Sequence, residues 1–166
     1  MSGPISVKAK AFWPTLTGLY ATDFITKRLV ESSLAPAYVP HRIIGDFLRF
    51  TLAYNKNAAM GLSLGGYSRE GFAITAGCIL LVLGILYRRL PADAHLSAFA
   101  LALIAAGALG NLTDRVTSSM GVVDFIDVGI GSARFWTFNV ADMGVTCGAV
   151  LLAIVSTKGS NKKGVG

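Results

Sequence analysis

The feature that most constrains this chain is a set of long apolar segments, and the segment from Phe72 to Tyr87 contains no charged residue. A helix rises about 1.5 Å per residue and needs about 17–25 residues to cross a bilayer. Four segments approach that length, near residues 11–30, 71–87, 95–112 and 138–157. Soluble domains carry about a quarter charged residues, whereas this chain carries 14% and has a mean hydropathy of +0.59. The pattern predicts an α-helical membrane protein with four transmembrane helices.

The distribution of basic residues predicts how these helices are oriented. Four spans place both termini on one side, and the segments expected there hold Lys8, Lys10, Arg88, Arg89, Lys158, Lys162 and Lys163. Because lysine and arginine concentrate in short cytoplasmic segments, both termini are predicted to be cytoplasmic. Basic residues at the ends of apolar runs more often set topology or contact anionic lipid, so no nucleic-acid partner is expected despite a net charge of +6. A signal peptide cleaved near Ala35-Pro36-Ala37 is the alternative at the N-terminus, but Asp23 and Lys27 would interrupt its apolar core.

The two outer segments carry strand patterns. Apolar and other residues alternate along Phe47–Tyr54, which predicts a strand. The segments Val122–Val128 and Ala133–Phe138 flank Gly129-Ile130-Gly131-Ser132, which predicts a hairpin. We therefore expect one domain over residues 1–166, with a small periplasmic β-sheet built from the segments between spans 1–2 and 3–4.

Polar residues within the predicted spans require a reason, because each ionisable group costs about 2.5–3.5 kcal/mol to insert and is usually functional. Asp23 and Lys27 are four residues apart on one helix face, so the favoured interpretation is a structural ion pair. Asn111 shares a face with Asp114 and Arg115 at the end of the third span. Arginine is a multi-donor cation, so Arg115 is suited to hold a carboxylate or a peptide carbonyl.

Two further aspartates suggest chemistry. Asn139 and Asp142 open the fourth span, where they could form an ordinary helix cap. Asp124 lies in the predicted hairpin eighteen residues earlier, and a hairpin returning to the membrane could bring the two carboxylates together. Two close carboxylates do not both ionise readily, so one keeps a proton while the other acts as a base, which is the equipment for activating water. Asp127 is three residues from Asp124, so it is predicted to face the other way and to be solvated.

At these residues the sequence resembles bacterial lipoprotein signal peptidase (signal peptidase II). The family elements D-x-x-x-K, N-x-G-A-A, G-x-x-G-N-x-x-D-R, V-D-F and F-N-x-A-D have counterparts in the same order along nearly the whole chain. These counterparts are Asp23-Phe-Ile-Thr-Lys27, Tyr54-Asn55-Lys56-Asn57-Ala58-Ala59, Gly107-Ala-Leu-Gly-Asn111-Leu-Thr-Asp114-Arg115, Val123-Asp124-Phe125 and Phe138-Asn139-Val140-Ala141-Asp142.

The resemblance implies an aspartyl endopeptidase of the bacterial inner (cytoplasmic) membrane, with its active site near the periplasmic face. Such an enzyme cleaves the signal peptide of diacylglyceryl-modified prolipoproteins before the lipidated cysteine, without a metal or cofactor. It implies diacylated prolipoproteins and membrane lipid as partners, and globomycin-type cyclic peptides as inhibitors. By the same resemblance the catalytic residues are Asp124 and Asp142. The residues that bind substrate or support the pair are then Asn55, Asn111, Arg115, Asn139, Asp23, Lys27 and Asp114.

Three positions depart from the family pattern. Asn57 and Met60 stand where the family has glycine and phenylalanine, and Ala106 stands where a second glycine is common. Asparagine tolerates a positive φ angle, so the turn at Asn57 is expected to survive. Two alternatives to the peptidase are a small multipass transporter, with charged residues lining a conduit, and a non-catalytic paralogue that binds lipoproteins. The transporter is less favoured because the polar residues concentrate at one end of the spans.

Overall fold

The structure is a computed structural model that describes residues 5–57 and 67–163. Within these ranges it contains helices α1 (Val7–Ser33), α2 (Ser68–Arg89), α3 (His95–Thr117) and α4 (Val140–Lys163). It also contains strands β1 (Pro40–Ile44), β2 (Leu48–Asn55), β3 (Val122–Ile130) and β4 (Ala133–Arg134).

In the part of the chain that the structure describes, three helices are long and apolar enough to cross a membrane, over Glu70–Arg89, His95–Thr117 and Val140–Thr157. They correspond to the second, third and fourth predicted spans. Helix α1 has sufficient length at 27 residues, but it is absent from the apolar set because charged residues and threonines interrupt it. Hydropathy therefore supports three of the four predicted spans.

Helix α3 is the centre of the bundle and packs against α1, α2 and α4. Its buried face is mostly small: Ala98, Ala100, Ala102, Ala105, Ala106, Gly107 and Gly110. Small residues let membrane helices approach closely, which strengthens van der Waals packing where no hydrophobic driving force acts between helices. A side chain at Gly107 would overlap the backbone of Ala141 in α4, and one at Gly110 would overlap Asp23 in α1. The departure at Ala106 lies in this packed core, with no exposed surface.

The sheet has the order β1-β2-β3-β4 with antiparallel neighbours. One face packs on the C-terminal end of α1 through a cluster of buried residues, Val30, Leu52, Val123 and Phe125. The strand predicted from alternation is confirmed and is displaced by one residue, as β2. The pairing of β2 with β3 aligns Asn55 with Val122 and Tyr54 with Val123, so the ends of these strands meet at the helix bundle.

The predicted hairpin is confirmed, with two differences. Gly129 and Ile130 lie in β3, so the turn is confined to Gly131 and Ser132. Strand β4 covers only Ala133–Arg134, because the chain then leaves the ladder and returns for a single bridge between Ile126 and Phe138. Strand β1 was not predicted from the sequence; all five of its residues are exposed, so it has no alternating apolar pattern.

Candidate active site

The start of α4 is closed by a reciprocal pair of hydrogen bonds. The side-chain oxygen Oδ1 of Asn139 accepts from the backbone N–H of Asp142 at 2.9 Å. In return, Asp142 Oδ2 accepts from the backbone N–H of Asn139 at 3.1 Å. This is a capping box, which satisfies two backbone donors that the first helical turn would otherwise leave unpaired. The helix-cap interpretation of these two residues is therefore confirmed, and it orients the Asp142 carboxylate.

The same asparagine also contacts the second aspartate. Asn139 has no exposed surface, and its Nδ2 donates to Asp124 Oδ1 at 2.8 Å. The same nitrogen is 3.1 Å from Asn111 Oδ1 and 3.2 Å from the carbonyl oxygen of Val123. One residue thus donates to the carboxylates of both Asp124 and Asp142. The cap and the aspartate pair, which the sequence left as alternatives, coexist.

Each carboxylate has a second amide donor of its own. Asn55, the last residue of β2, donates from Nδ2 to Asp124 Oδ2 at 3.1 Å. Asn111 in α3 donates from Nδ2 to Asp142 Oδ1 at 2.8 Å. The two aspartates are therefore held by three asparagines that come from β2, α3 and the start of α4.

The environments of the two aspartates differ. The pKa of Asp124 is raised to about 7, mainly by burial and in addition by the charge of Asp142, while the hydrogen bonds from Asn55 and Asn139 act in the opposite direction. Asp124 is thus largely protonated below neutral pH. Asp142 lies in the first turn of α4 and accepts hydrogen bonds from Asn111 Nδ2 and from the backbone N–H of Asn139. The geometry therefore suits Asp124 as the acid and Asp142 as the base.

Beneath the pair lies a buried ionic cluster centred on Lys27, which is 1% exposed. Its Nζ atom is 2.8 Å from Asp23 Oδ2 and 2.9 Å from Asp114 Oδ2. The same atom donates to Asn111 Oδ1 at 3.0 Å. The predicted pairing of Asp23 with Lys27 is confirmed, with Asp114 as a third member. Because an ammonium can only donate, it fixes the oxygen of the Asn111 amide toward Lys27 and leaves the NH₂ group to face Asp142.

The two acids of this cluster also bind backbone next to the aspartate pair. Asp23 Oδ1 accepts from the N–H of Ala141 at 2.8 Å, and Asp114 Oδ2 accepts from the N–H of Val123 at 3.2 Å. These two backbone groups directly precede Asp142 and Asp124 in the sequence. The cluster therefore fixes the chain on both sides of the site.

Sequence reasoning missed one contributor, Arg28. Its Nη2 is 3.0 Å from Asp114 Oδ1, and its Nη1 pairs with Glu31. The only signal in the sequence was a second basic residue directly after Lys27. Its partner could not be inferred without knowing how α1 and α3 pack.

Arg115 contacts backbone carbonyls of the protein itself. Its Nη1 donates to the carbonyl oxygen of Asn111 at 3.1 Å, and its Nη2 donates to that of Asn57 at 3.0 Å. The guanidinium carbon lies 5.9 Å from the ring centroid of Phe72. Arg115 therefore links α3 to the end of β2 at the edge of the site.

The turn expected at Asn57 forms without a positive φ angle. Tyr38 is the one non-glycine residue with a positive φ angle in residues 5–57 and 67–163. Instead, the backbone N–H of Asn57 donates to Asn55 Oδ1 at 2.9 Å, which turns the chain locally without a left-handed residue. The last two residues of this motif, Ala58 and Ala59, lie outside the described residues, and so does the departure at Met60.

The prediction that Asp127 is solvated is wrong, since this residue is 5% exposed. Its carboxylate accepts from Arg134 Nε at 2.5 Å, from Arg49 Nε at 2.9 Å and from Thr51 Oγ1 at 3.0 Å. Burial by itself would raise the pKa of Asp127, but these hydrogen bonds outweigh it and hold the pKa below its usual value. Two arginines from neighbouring strands cover the carboxylate, which is why it is not in water.

A cleft of about 1200 Å³ runs from the aspartate pair along the helices. On α3 it is lined by Ile104, Ala108, Asn111 and Arg115, which share one helix face at spacings of three and four residues. Ile104 is seven residues from Asn111, so the cleft extends about 10 Å from the pair along α3. That deeper part is mainly apolar and is lined by Ala76, Ile79, Val145 and Cys147.

The sequence is similar to known proteins over most of its length. The sequence model of the family described as Signal peptidase (SPase) II matches residues 15–158. The chain is 40% identical over 146 residues to the lipoprotein signal peptidase of Pseudomonas syringae, covering 86% of this chain and 83% of the relative. It is 34% identical over 155 residues to the lipoprotein signal peptidase of Geobacter sulfurreducens, covering 93% of this chain and 96% of the relative.

The fold is also similar to that of a solved structure. It is described as a bacterial membrane enzyme determined by the in meso method at 2.3 Å resolution, and the chain is similar to it with a TM-score of 0.78. The sequence identity is 31%, and the match covers 90% of this chain and 88% of that one.

Proposed function

The chain belongs to the signal peptidase II family, and from this premise we propose that it is a membrane aspartyl endopeptidase. Its substrates are diacylglyceryl-modified prolipoproteins, and it cleaves the signal peptide before the lipidated cysteine. The observation that carries the proposal is the position of Asn139, which donates to both Asp124 and Asp142. This contact brings two carboxyl groups to one residue, and such a pair can act as acid and base.

The reaction follows from the two environments. Asp142, as the base, takes a proton from water while the water oxygen attacks the carbonyl carbon of the scissile bond. Asp124 gives its proton to the carbonyl oxygen, so the intermediate is a neutral gem-diol. When the intermediate collapses, Asp142 passes its proton to the leaving nitrogen, and a hydroxyl of the gem-diol returns a proton to Asp124. The C–N bond breaks, and the pair regains its starting protonation.

The cleft supports a lipid-bearing peptide as the substrate. Its deeper part along α3 is apolar, from Ala108 to Ile104, and suits the acyl chains. Its end at the aspartate pair carries amide and guanidinium donors, including Arg115, that suit peptide carbonyls.

The membrane placement belongs to the same proposal. Helix α1 also crosses the membrane and brings the number of spans to four. Its buried charges are paired within the protein rather than exposed to lipid. Both termini are cytoplasmic, the chain is one domain of the bacterial inner membrane, and the sheet lies on the periplasmic side. A C-terminal reporter that is active only in the cytoplasm tests this orientation, and a silent reporter on stable protein would contradict it.

The test of function is cleavage of a synthetic diacylated prolipoprotein by the purified protein, followed by mass spectrometry. We expect loss of the signal peptide, inhibition by globomycin, and no cleavage by Asp124→Asn or Asp142→Asn. Asp93→Asn is a matched control, since Asp93 is exposed in the loop between α2 and α3, and it should retain full activity. Thermal unfolding of each variant shows that the fold persists. Full activity in either variant of the pair would contradict the assignment.

A further inference from the structure

Tyr38 stands out among the residues that line the cleft. It lies in the segment between α1 and β1, with φ at 68°, where L-residues are disfavoured by contact between Cβ and the following carbonyl. Asparagine and glycine are the usual residues in this conformation, and a tyrosine there is unusual. Strained residues of this kind persist only where the surrounding structure imposes them, and they concentrate at functional sites.

Two contacts impose the conformation of Tyr38. Its backbone N–H donates to the carbonyl oxygen of Leu52 in β2 at 2.7 Å, two residues before β1 begins. The preceding Ala37 packs against the buried cluster between the sheet and the end of α1. The backbone is therefore fixed on both sides, while the side chain is free of the core.

The side chain itself is 66% exposed and lines the same cleft as Tyr54, Asn55 and Asp124. A ring that is so exposed contributes little to the stability of the fold. A glycine or an asparagine at this position would adopt the positive φ angle with less strain. Packing does not explain the residue, and its position at the edge of the active-site cleft suggests contact with a ligand.

The position in the cleft indicates which part of the substrate Tyr38 would meet. The deep end of the cleft is formed by α2, α3 and α4, whereas Tyr38 and Tyr54 lie on the sheet side of the aspartate pair. The acyl chains and the apolar part of the signal peptide belong with the helices. The remaining part of a prolipoprotein is the mature chain that follows the lipidated cysteine, and it leaves the membrane on the sheet side.

We infer that Tyr38 is a specificity-determining residue that binds the residues following the lipidated cysteine; this inference rests on the proposed function. A tyrosine ring presents a large rigid surface with few rotatable bonds and can stack on peptide of varied sequence. The contact therefore depends on the presence of a mature chain more than on its sequence.

The test compares two diacylated substrates that share one signal peptide. One ends at the lipidated cysteine as an amide, and the other continues for several residues. Tyr38→Asn removes the ring while supplying a residue that tolerates the positive φ angle. It should lower kcat/KM for the extended substrate about tenfold, as expected for the loss of one aromatic contact, and leave the truncated substrate unchanged. Its melting temperature should not fall below that of the parent.

Two controls make the result specific. Tyr38→Phe keeps the ring and should retain most of the activity, while Tyr38→Gly gives a second ring deletion should Tyr38→Asn fold poorly. Phe47→Ala removes an aromatic ring in the turn between β1 and β2 that is 54% exposed and does not line the cleft. It should cleave both substrates normally.

The outcomes separate this inference from the proposed function. Equal losses on both substrates, or no loss on either, would overturn the role of Tyr38 while leaving the peptidase intact. If the parent protein cleaves neither substrate, the proposed function fails, and the inference fails with it.

Discussion

Replacing Asn55 with alanine should move the alkaline limit of peptidase activity to higher pH. Asn55 donates to Asp124 Oδ2 at 3.1 Å, and this bond stabilises the ionised form of a carboxyl group whose pKa is already about 7. Without it the charged form becomes less favourable, so the pKa rises. Because activity requires the proton on Asp124, the rate falls as the pH passes through that pKa, and the fall begins at higher pH in the variant.

The size of the shift follows from the contacts that remain. A hydrogen bond to a charged group contributes about 1.5–3 kcal/mol, and one pKa unit corresponds to about 1.4 kcal/mol. Asp124 keeps its bond from Asn139 at 2.8 Å, and water can enter the space that the amide leaves. The lower end of the range therefore applies, and the midpoint should move from about 7 to about 8.

The assay is kcat/KM against pH with a diacylated peptide, for the parent and for Asn55→Ala. Asn57→Ala is the matched control, because within the described part of the chain its side chain makes no hydrogen bond to Asp124. Loss of substrate contacts at Asn55 would lower the plateau without moving the midpoint, so the two effects are separable. A midpoint that stays in place or moves to lower pH would refute the reasoning.

Two other predictions concern stability. Asp127→Asn removes the negative charge that pairs with Arg49 and Arg134. It should lower the free energy of unfolding by roughly 2–4 kcal/mol and leave kcat per folded molecule unchanged. An unaltered melting temperature would contradict this. In Asp124→Asn the melting temperature should depend less on pH than in the parent. Since the folded pKa of Asp124, about 7, exceeds 3.8, the native state binds an extra proton between these values, and stability from this group falls as pH rises through that window. Parallel curves for parent and variant would count against it.

The helices and the longer strands could be predicted because their patterns are local. The uncharged segment Phe72–Tyr87 fixed α2, and the alternation along Phe47–Tyr54 located β2 to within one residue. The turn at Gly131 has a φ of 56°, which glycine adopts without the steric cost that other residues incur. In each case residues close in sequence determine the conformation.

The parts that sequence reasoning missed depend on neighbours far along the chain. Asp127 faces away from Asp124, as the alternation along a strand predicts. Its burial, however, depends on Arg49 and Arg134, which lie in other strands. Strand β1 has no pattern of its own, because it forms only through pairing with β2. Local periodicity indicates which way a side chain points, and only the tertiary structure determines what covers it.

Asn139 has a second role in the site, beyond the helix cap that its position in the sequence predicted. Serine, threonine and aspartate can all accept the N–H of Asp142 and cap a helix, but a neutral amide both accepts and donates through separate atoms. The Oδ1 of Asn139 is committed to the cap, so its Nδ2 must point away from α4, and there it meets Asp124. The bond that begins the helix thus also sets the spacing of the aspartate pair. A residue that stabilised α4 equally well without an NH₂ group would leave the two carboxylates without their shared donor.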